Sequence, residues 1–160
     1  MPTPTTPTNA VVAAVVDRLE SALPALVAAK GLPAITEFLD YDPALPQPAK
    51  APQVWVDLPE ESRSEQPRMG ASVGAIAQMR TVLVGVTAAG QDASLAVGHL
   101  RAYADLIRQC LEGDPTMGGE AAWAKWQRTN FSPSFAQGNH LFKEAVLTFE
   151  LPRRVRRGEA

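Results

Sequence analysis

Between Met79 and Thr87 the sequence reads MRTVLVGVT, and Val82, Val84 and Val86 fall on one face of an extended chain because strand side chains alternate with a period of two. A strand with one apolar face must bury that face against another element. Two segments have the pattern to cover it. Val12, Val15, Val16, Leu19, Leu23 and Leu26 recur at three- and four-residue spacing and predict an amphipathic helix over about 9–29, with Asp17, Arg18 and Glu20 on its other faces. Thr8 or Asn9 is placed to cap it, Pro24 to kink or end it, and Gly31 to stop it. Ala96, Leu100, Tyr103, Ile107, Cys110 and Leu111 mark a second helix over about 93–112, with Arg101, Asp105 and Arg108 elsewhere on its surface. The turn-forming residues of 113–119 end it.

Three more segments read as strands. Gln53–Leu58 (QVWVDL) is rich in β-formers. In Phe142–Leu151 the residues Ala145, Leu147, Phe149 and Leu151 face one way, while Thr148 and Glu150 face the other. Glu120–Thr129 is ambiguous: Trp123 and Trp126 are three apart, which suits a helix, but the preceding turn and following strand favour an antiparallel partner strand. Between these elements, the prolines of 32–52 predict an extended surface passage, 59–75 a long charged loop, 88–92 a short turn, and 130–140 a loop. The order is helix, strand, strand, helix, strand, strand. Short links between successive strands make hairpins, so the fold class is α+β: a mainly antiparallel sheet of about four strands with two main helices packed on one face. Residues 1–8, mostly Pro and Thr, read as a flexible lead, 9–152 as a single domain, and 153–160 as a basic tail.

A chain of 160 residues suits one domain and buries roughly 70% of its unfolded surface, so it needs no disulfide or metal to fold. Its formal net charge of −2 exerts no strong pull on nucleic acid or an acidic membrane. A lone cysteine, Cys110, excludes an internal disulfide and suits a reducing compartment or indifference to redox. The N-terminal MPTPTTPTN lacks the basic and apolar regions of a signal peptide, and apolar runs stop well short of the ~20 residues of a membrane span. These features point to a chain made in the cytoplasm.

No catalytic constellation is legible. His99, His140 and Cys110 are the metal-ligand candidates, yet no Cys-x-x-Cys, His-x-x-x-His or Glu-x-x-His spacing joins them, so neither a metal nor a cofactor is predicted. His99 and Cys110 share one helix but lie ~16 Å apart at 1.5 Å per residue, outside hydrogen-bond reach. Cys110 reads as a small buried hydrophobe. Glu60 and Glu61 stand among Arg63 and Arg68, a solvated arrangement rather than the apolar one that raises a carboxyl pKa. The cluster Arg153, Arg154, Arg156 and Arg157 could touch phosphates or an acidic neighbour. Phe131 and Phe135, in a predicted loop, are candidate interface anchors. The candidate interface is therefore Glu60, Glu61, Arg63, Arg68, Phe131, Phe135, Arg153, Arg154, Arg156 and Arg157.

The layout as a whole resembles a known family. A Pro-rich passage leads into the aromatic-bearing strand PQVWVDLP, and a charged loop precedes QMRTVLVGVTAAG. A helix ends in RQCLEGDPTMGGEA, and AAWAKWQRT and FKEAVLTFELPRR complete the chain. Over about 9–153 this arrangement resembles the tail terminator, or tail-completion, proteins of long-tailed bacteriophages, and it is similar to related minor tail and neck proteins. The Thr116-Met117-Gly118-Gly119 turn and the final strand carry most of the likeness. The resemblance implies a non-enzymatic structural virion protein at the head-proximal end of the tail. It would form a hexameric ring that caps the tail tube protein and meets the head–tail connector or neck protein. DNA would pass through the ring's lumen without sequence-specific binding, and neither a cofactor nor a membrane is implied. The alternatives are another head–tail connector, neck or minor tail protein, a nucleic-acid-binding module working through the Arg tail, and a small hydrolase using Cys110, His99 or His140.

Overall fold

The structure is a computed structural model, and it describes residues 7–43, 51–63, 76–90, 92–132, 135–137 and 140–154. In chain order the elements are helix α1 (Pro7–Ala29), strands β1 (Glu37–Leu39), β2 (Gln53–Arg63) and β3 (Ile76–Gly90), helix α2 (Ala93–Glu112), a 3-10 turn at Met117–Gly119, and strands β4 (Lys125–Phe131), β5 (Phe135–Gln137), β6 (His140–Glu150) and β7 (Arg153–Arg154). The α+β class and the order of main elements agree with the sequence reading. The sheet order is β1-β2-β3-β6-β4, with β5 beside β6 and β7 beside β3. The four expected strands, β2, β3, β6 and β4, are antiparallel throughout. Three short strands are additional, and β1 runs parallel to β2, which makes the sheet mixed.

Helix α1 starts at Pro7, whose fixed φ suits a first helical position, so Thr8 and Asn9 lie inside the helix and neither caps it. Pro24 does not end α1, which continues to Ala29. Gly31 does stop it. At φ 68° it lets its own N–H reach Ala28 O and the Leu32 N–H reach Val27 O, closing the last turn of the helix in the left-handed conformation that glycine adopts without strain. The buried line of α1 is Val11, Val15, Leu19, Leu23 and Val27, four residues apart, with Val12, Val16 and Leu26 half-buried at its margin. Helix α2 has the predicted bounds. Asp92 caps it, its carboxylate accepting from Ser94 N and Leu95 N at 2.9 and 3.3 Å.

The two helices pack on one face of the sheet. There Val54 and Val56 of β2, Val82, Val84 and Val86 of β3, and Ala145, Leu147 and Phe149 of β6 meet the apolar stripes of α1 and α2 in one core. Burial of this kind is the main favourable contribution to folding, at about 25 cal/mol per Å² of apolar surface. The helices also bond to each other. Arg18 Nε donates to Cys110 O at 2.9 Å, and the Cys110 thiol donates to Arg18 O at 3.6 Å.

Several boundaries differ from expectation, most of them in the direction of longer strands. Pro59–Arg63 belongs to β2, not to a loop, because Glu60–Arg63 pair with Gln78–Thr81 beyond a bulge between Asp57 and Glu60. Strand β3 runs through Ala88 and Ala89 to Gly90, where a turn was expected. The expected loop at 130–140 holds the end of β4, all of β5 and the first residue of β6. Glu120–Lys125 precedes or opens β4 rather than forming its body, and β4 pairs with β6 as anticipated. The tail likewise begins later than expected, since Arg153 and Arg154 form β7 against β3.

Candidate functional site

The candidate interface residues fall into two groups. Glu60, Glu61 and Arg63 lie on β2 opposite Thr81, Arg80 and Gln78, and Arg153 lies on β7 opposite the same Gln78. Arg63, Gln78 and Arg153 thus form one row across three strands, and Arg153 Nε donates to Gln78 Oε1 at 2.7 Å. The charged segment and the basic tail, far apart in sequence, meet along the first residues of β3. Strand β6 covers β3 only from Thr81 onward. Upstream of that residue β2 and β3 continue as a hairpin arm, with β7 beside it and with Glu60, Glu61 and Ser62 exposed.

Phe131 and Phe135 form the second group. Phe131 is the last residue of β4, opposite Ala145, and is 48% exposed. Phe135 lies in β5 opposite Phe142. Both are strand residues rather than loop residues, because β6 templates each of their strands. Arg68, Arg156 and Arg157 lie outside the described residues, as does the body of the charged segment at 64–75.

Cys110 and Tyr103 are built into the packing. Cys110 is buried between the helices, and burial pushes its thiol up, opposed by the nearby Arg18 guanidinium. A raised thiol is a poor nucleophile at neutral pH. Tyr103 is buried, its hydroxyl pushed up to about 12 by burial, and donates to Pro33 O at 2.6 Å. His99 stands edge-on to the Tyr103 ring, with centroids 6.5 Å apart. His140 opens β6 opposite Gln137. Among the described residues no three His, Cys, Asp or Glu side chains converge as a metal site, and no helix is long and apolar enough to cross a membrane.

Two features were not legible in the sequence. Among the described residues Arg80 is the largest fully buried side chain, 1% exposed. Its Nε donates to Leu151 O at 2.8 Å and its Nη2 to Glu120 O at 2.6 Å, tying β3 to the chain after β6 and to the chain before β4. The second feature is Trp55, 2% exposed on the sheet face opposite the helices. Its ring lies across Gly85, where a Cβ would fall 1.9 Å from ring atom Cε2. Its indole N–H donates to Glu144 Oε2 at 3.2 Å. Burial raises the Glu144 carboxyl above its ordinary range, the indole hydrogen bond opposes this, and the charge of Asp42 adds to it. The glycine inside the valine alternation was the one available signal, since an isolated strand glycine often marks a close approach.

No protein-family model matches the sequence, and no curated protein sequence matches it. Among solved structures, the chain is similar to a component of the virion of a native gene transfer agent particle. The identity is 14% and the TM-score 0.47, over 90% of this chain and 94% of the other.

Proposed function

We propose that this chain is a structural virion protein: a tail terminator subunit that closes as a hexameric ring on the finished tail tube of a long-tailed bacteriophage. In this reading the ring stops tube growth, meets the head–tail connector or neck protein, and lets DNA through its lumen without sequence-specific binding. The observation that carries the reading is the charged hairpin arm of β2 and β3, taken with the layout that prompted the resemblance. The arm extends past the point where β6 stops covering β3, and its exposed Glu60 and Glu61 add nothing to the apolar core. An arm of this kind is available to touch a neighbouring subunit or the tube. Cys110, Tyr103 and Arg80 are occupied by packing and backbone hydrogen bonds. That suits a protein acting through buried area and shape at subunit contacts.

Electron cryo-microscopy of purified particles containing this chain tests the proposal. The expected result is a single ring of the chain at the head-proximal end of the tail. Stacked rings along the tail would make it a tube protein, and a position elsewhere in the neck would make it a connector. Absence from every particle would refute the virion reading altogether.

A further inference from the structure

On the sheet face opposite the helices, residues of neighbouring strands line up in rows. One row runs Asp57, Leu83, Thr148, Arg128, and the next runs Glu60, Thr81, Glu150, Lys125. Each row has an acid on β2 at one side of the four-stranded body and a base on β4 at the other. The polarity extends beyond these rows. Strand β1 and the residue after it, on the β2 side, carry Glu37 and Asp40, and β2 adds Glu61 and one base, Arg63, while β4 (KWQRTNF) carries two bases and no acid. Exposed large hydrophobics also lie on these two sides: Tyr41 two residues beyond β1, 56% exposed, and Phe131 at the end of β4.

Strands stand about 4.8 Å apart, so the acid and base ending one row are ~14 Å apart, beyond the ~8–10 Å over which exposed charges interact in salt. They do not neutralise each other within one copy. Glu150 stands next to Lys125 and offsets part of its charge, whereas Arg128 faces the uncharged Thr148. Among the described residues neither Lys125 nor Arg128 is in an ion pair. A β4 edge meeting a second β4 edge would set base against base, which is unfavourable. A β4 edge meeting a β2 edge sets both bases against both acids.

From this we infer a head-to-tail contact between copies of this chain, in which the Lys125–Arg128 edge of one copy docks on the Asp57–Glu60 edge of the next. Unlike edges meeting in this way generate a ring when the rotation closes. The contact rests on the ring reading above and gives it a surface. The bulge and Pro59 withdraw this part of β2 from continuous ladder pairing, so side chains carry the contact.

Charge exchange tests the contact on the full chain, with self-association followed by sedimentation velocity at low salt and folding checked by thermal melting. The Lys125→Glu/Arg128→Glu variant makes both edges acidic, and the Asp57→Lys/Glu60→Lys variant makes both basic. Each alone is expected to associate about tenfold more weakly than the parent. An equimolar mixture of the two, and a single chain carrying all four changes, are expected to recover association. Unchanged association of both variants, no recovery in the mixture and the fourfold variant, or a parent that stays monomeric at its highest soluble concentration would each overturn the contact. Particle imaging is independent of this result. If it places the chain away from the tail end while the exchange pattern holds, the terminator reading falls and the edge contact stands.

Discussion

The Trp55–Gly85 contact offers the sharpest test of the packing. A Cβ added at Gly85 would lie 1.9, 2.2 and 2.3 Å from three atoms of the Trp55 indole. Carbon atoms prefer ~3.5–4.0 Å, so the ring must retreat by at least ~1.5 Å. The indole N–H is 3.2 Å from Glu144 Oε2, and a retreat of that size breaks this hydrogen bond. Forced repacking costs about 1–3 kcal/mol, and a buried polar group losing its partner costs about 1–3 more. Gly85→Ala should therefore destabilise the protein by about 3 kcal/mol. At ~2–4 °C per kcal/mol for a chain of this size, Tm falls by about 6–12 °C. Urea unfolding of Gly85→Ala, Trp55→Ala and the double variant completes a double-mutant cycle. With the indole gone, the added methyl has room, and the cost of Gly85→Ala should fall below about 0.5 kcal/mol, which leaves a coupling energy of at least about 2 kcal/mol. A Gly85→Ala protein as stable as the parent, or two substitutions whose costs simply add, would refute the reasoning.

Glu144 should impose a pH dependence. Its folded carboxyl lies above the ordinary 4.5, so the fold favours the protonated form. That contribution is fully present below the unfolded pKa and is lost as pH rises from about 4.5 through the raised folded value, with no further change above it. Urea midpoints across this range should show the slope in the parent and a shallower one in Glu144→Gln; equal slopes would remove Glu144 as the cause. Asp92→Ala removes the cap of α2 and should cost about 1 kcal/mol by the same assay, whereas Asp92→Asn should be nearly neutral. Arg80→Met should cost about 3 kcal/mol by leaving Leu151 O and Glu120 O without their donor, and a cost under about 1 kcal/mol would show that the guanidinium is dispensable. Cys110 should react with a thiol reagent only on unfolding; rapid labelling of the native chain would contradict its placement between the helices.

Local periodicity made most of the architecture readable. The stripe from Ala96 to Leu111 gave α2 its bounds, and the alternations in Val82–Val86 and Ala145–Phe149 identified both central strands and their buried faces, because a side chain's direction in a helix or strand depends only on its own backbone. The sequence was less informative where tertiary pairing wins. Pro59, Glu60 and Glu61 look like a loop, yet β3 offers them a partner and extends β2 by five residues past Leu58. Strands β1, β5 and β7, of two or three residues each, are too short to show any period and exist because β2, β6 and β3 template them. The candidate interface was legible as a set of residue types but not as a place. Arg63 and Arg153 share a row only because β3 lies between their strands.

Spacing along the chain was enough to define the two helices, the order of the main elements, and the buried faces of the helices and of β3 and β6, while β4 stayed ambiguous between strand and helix. Spacing could not show that β6 inserts between β3 and β4, that Arg80 is buried, or that Asp57 and Glu60 lie in the same rows as Arg128 and Lys125; the folded arrangement settles all three. The reason is distance along the chain. The carbonyls that accept from Arg80 are 71 and 40 residues away, and the rows that join Asp57 to Arg128 exist only once four strands are in register.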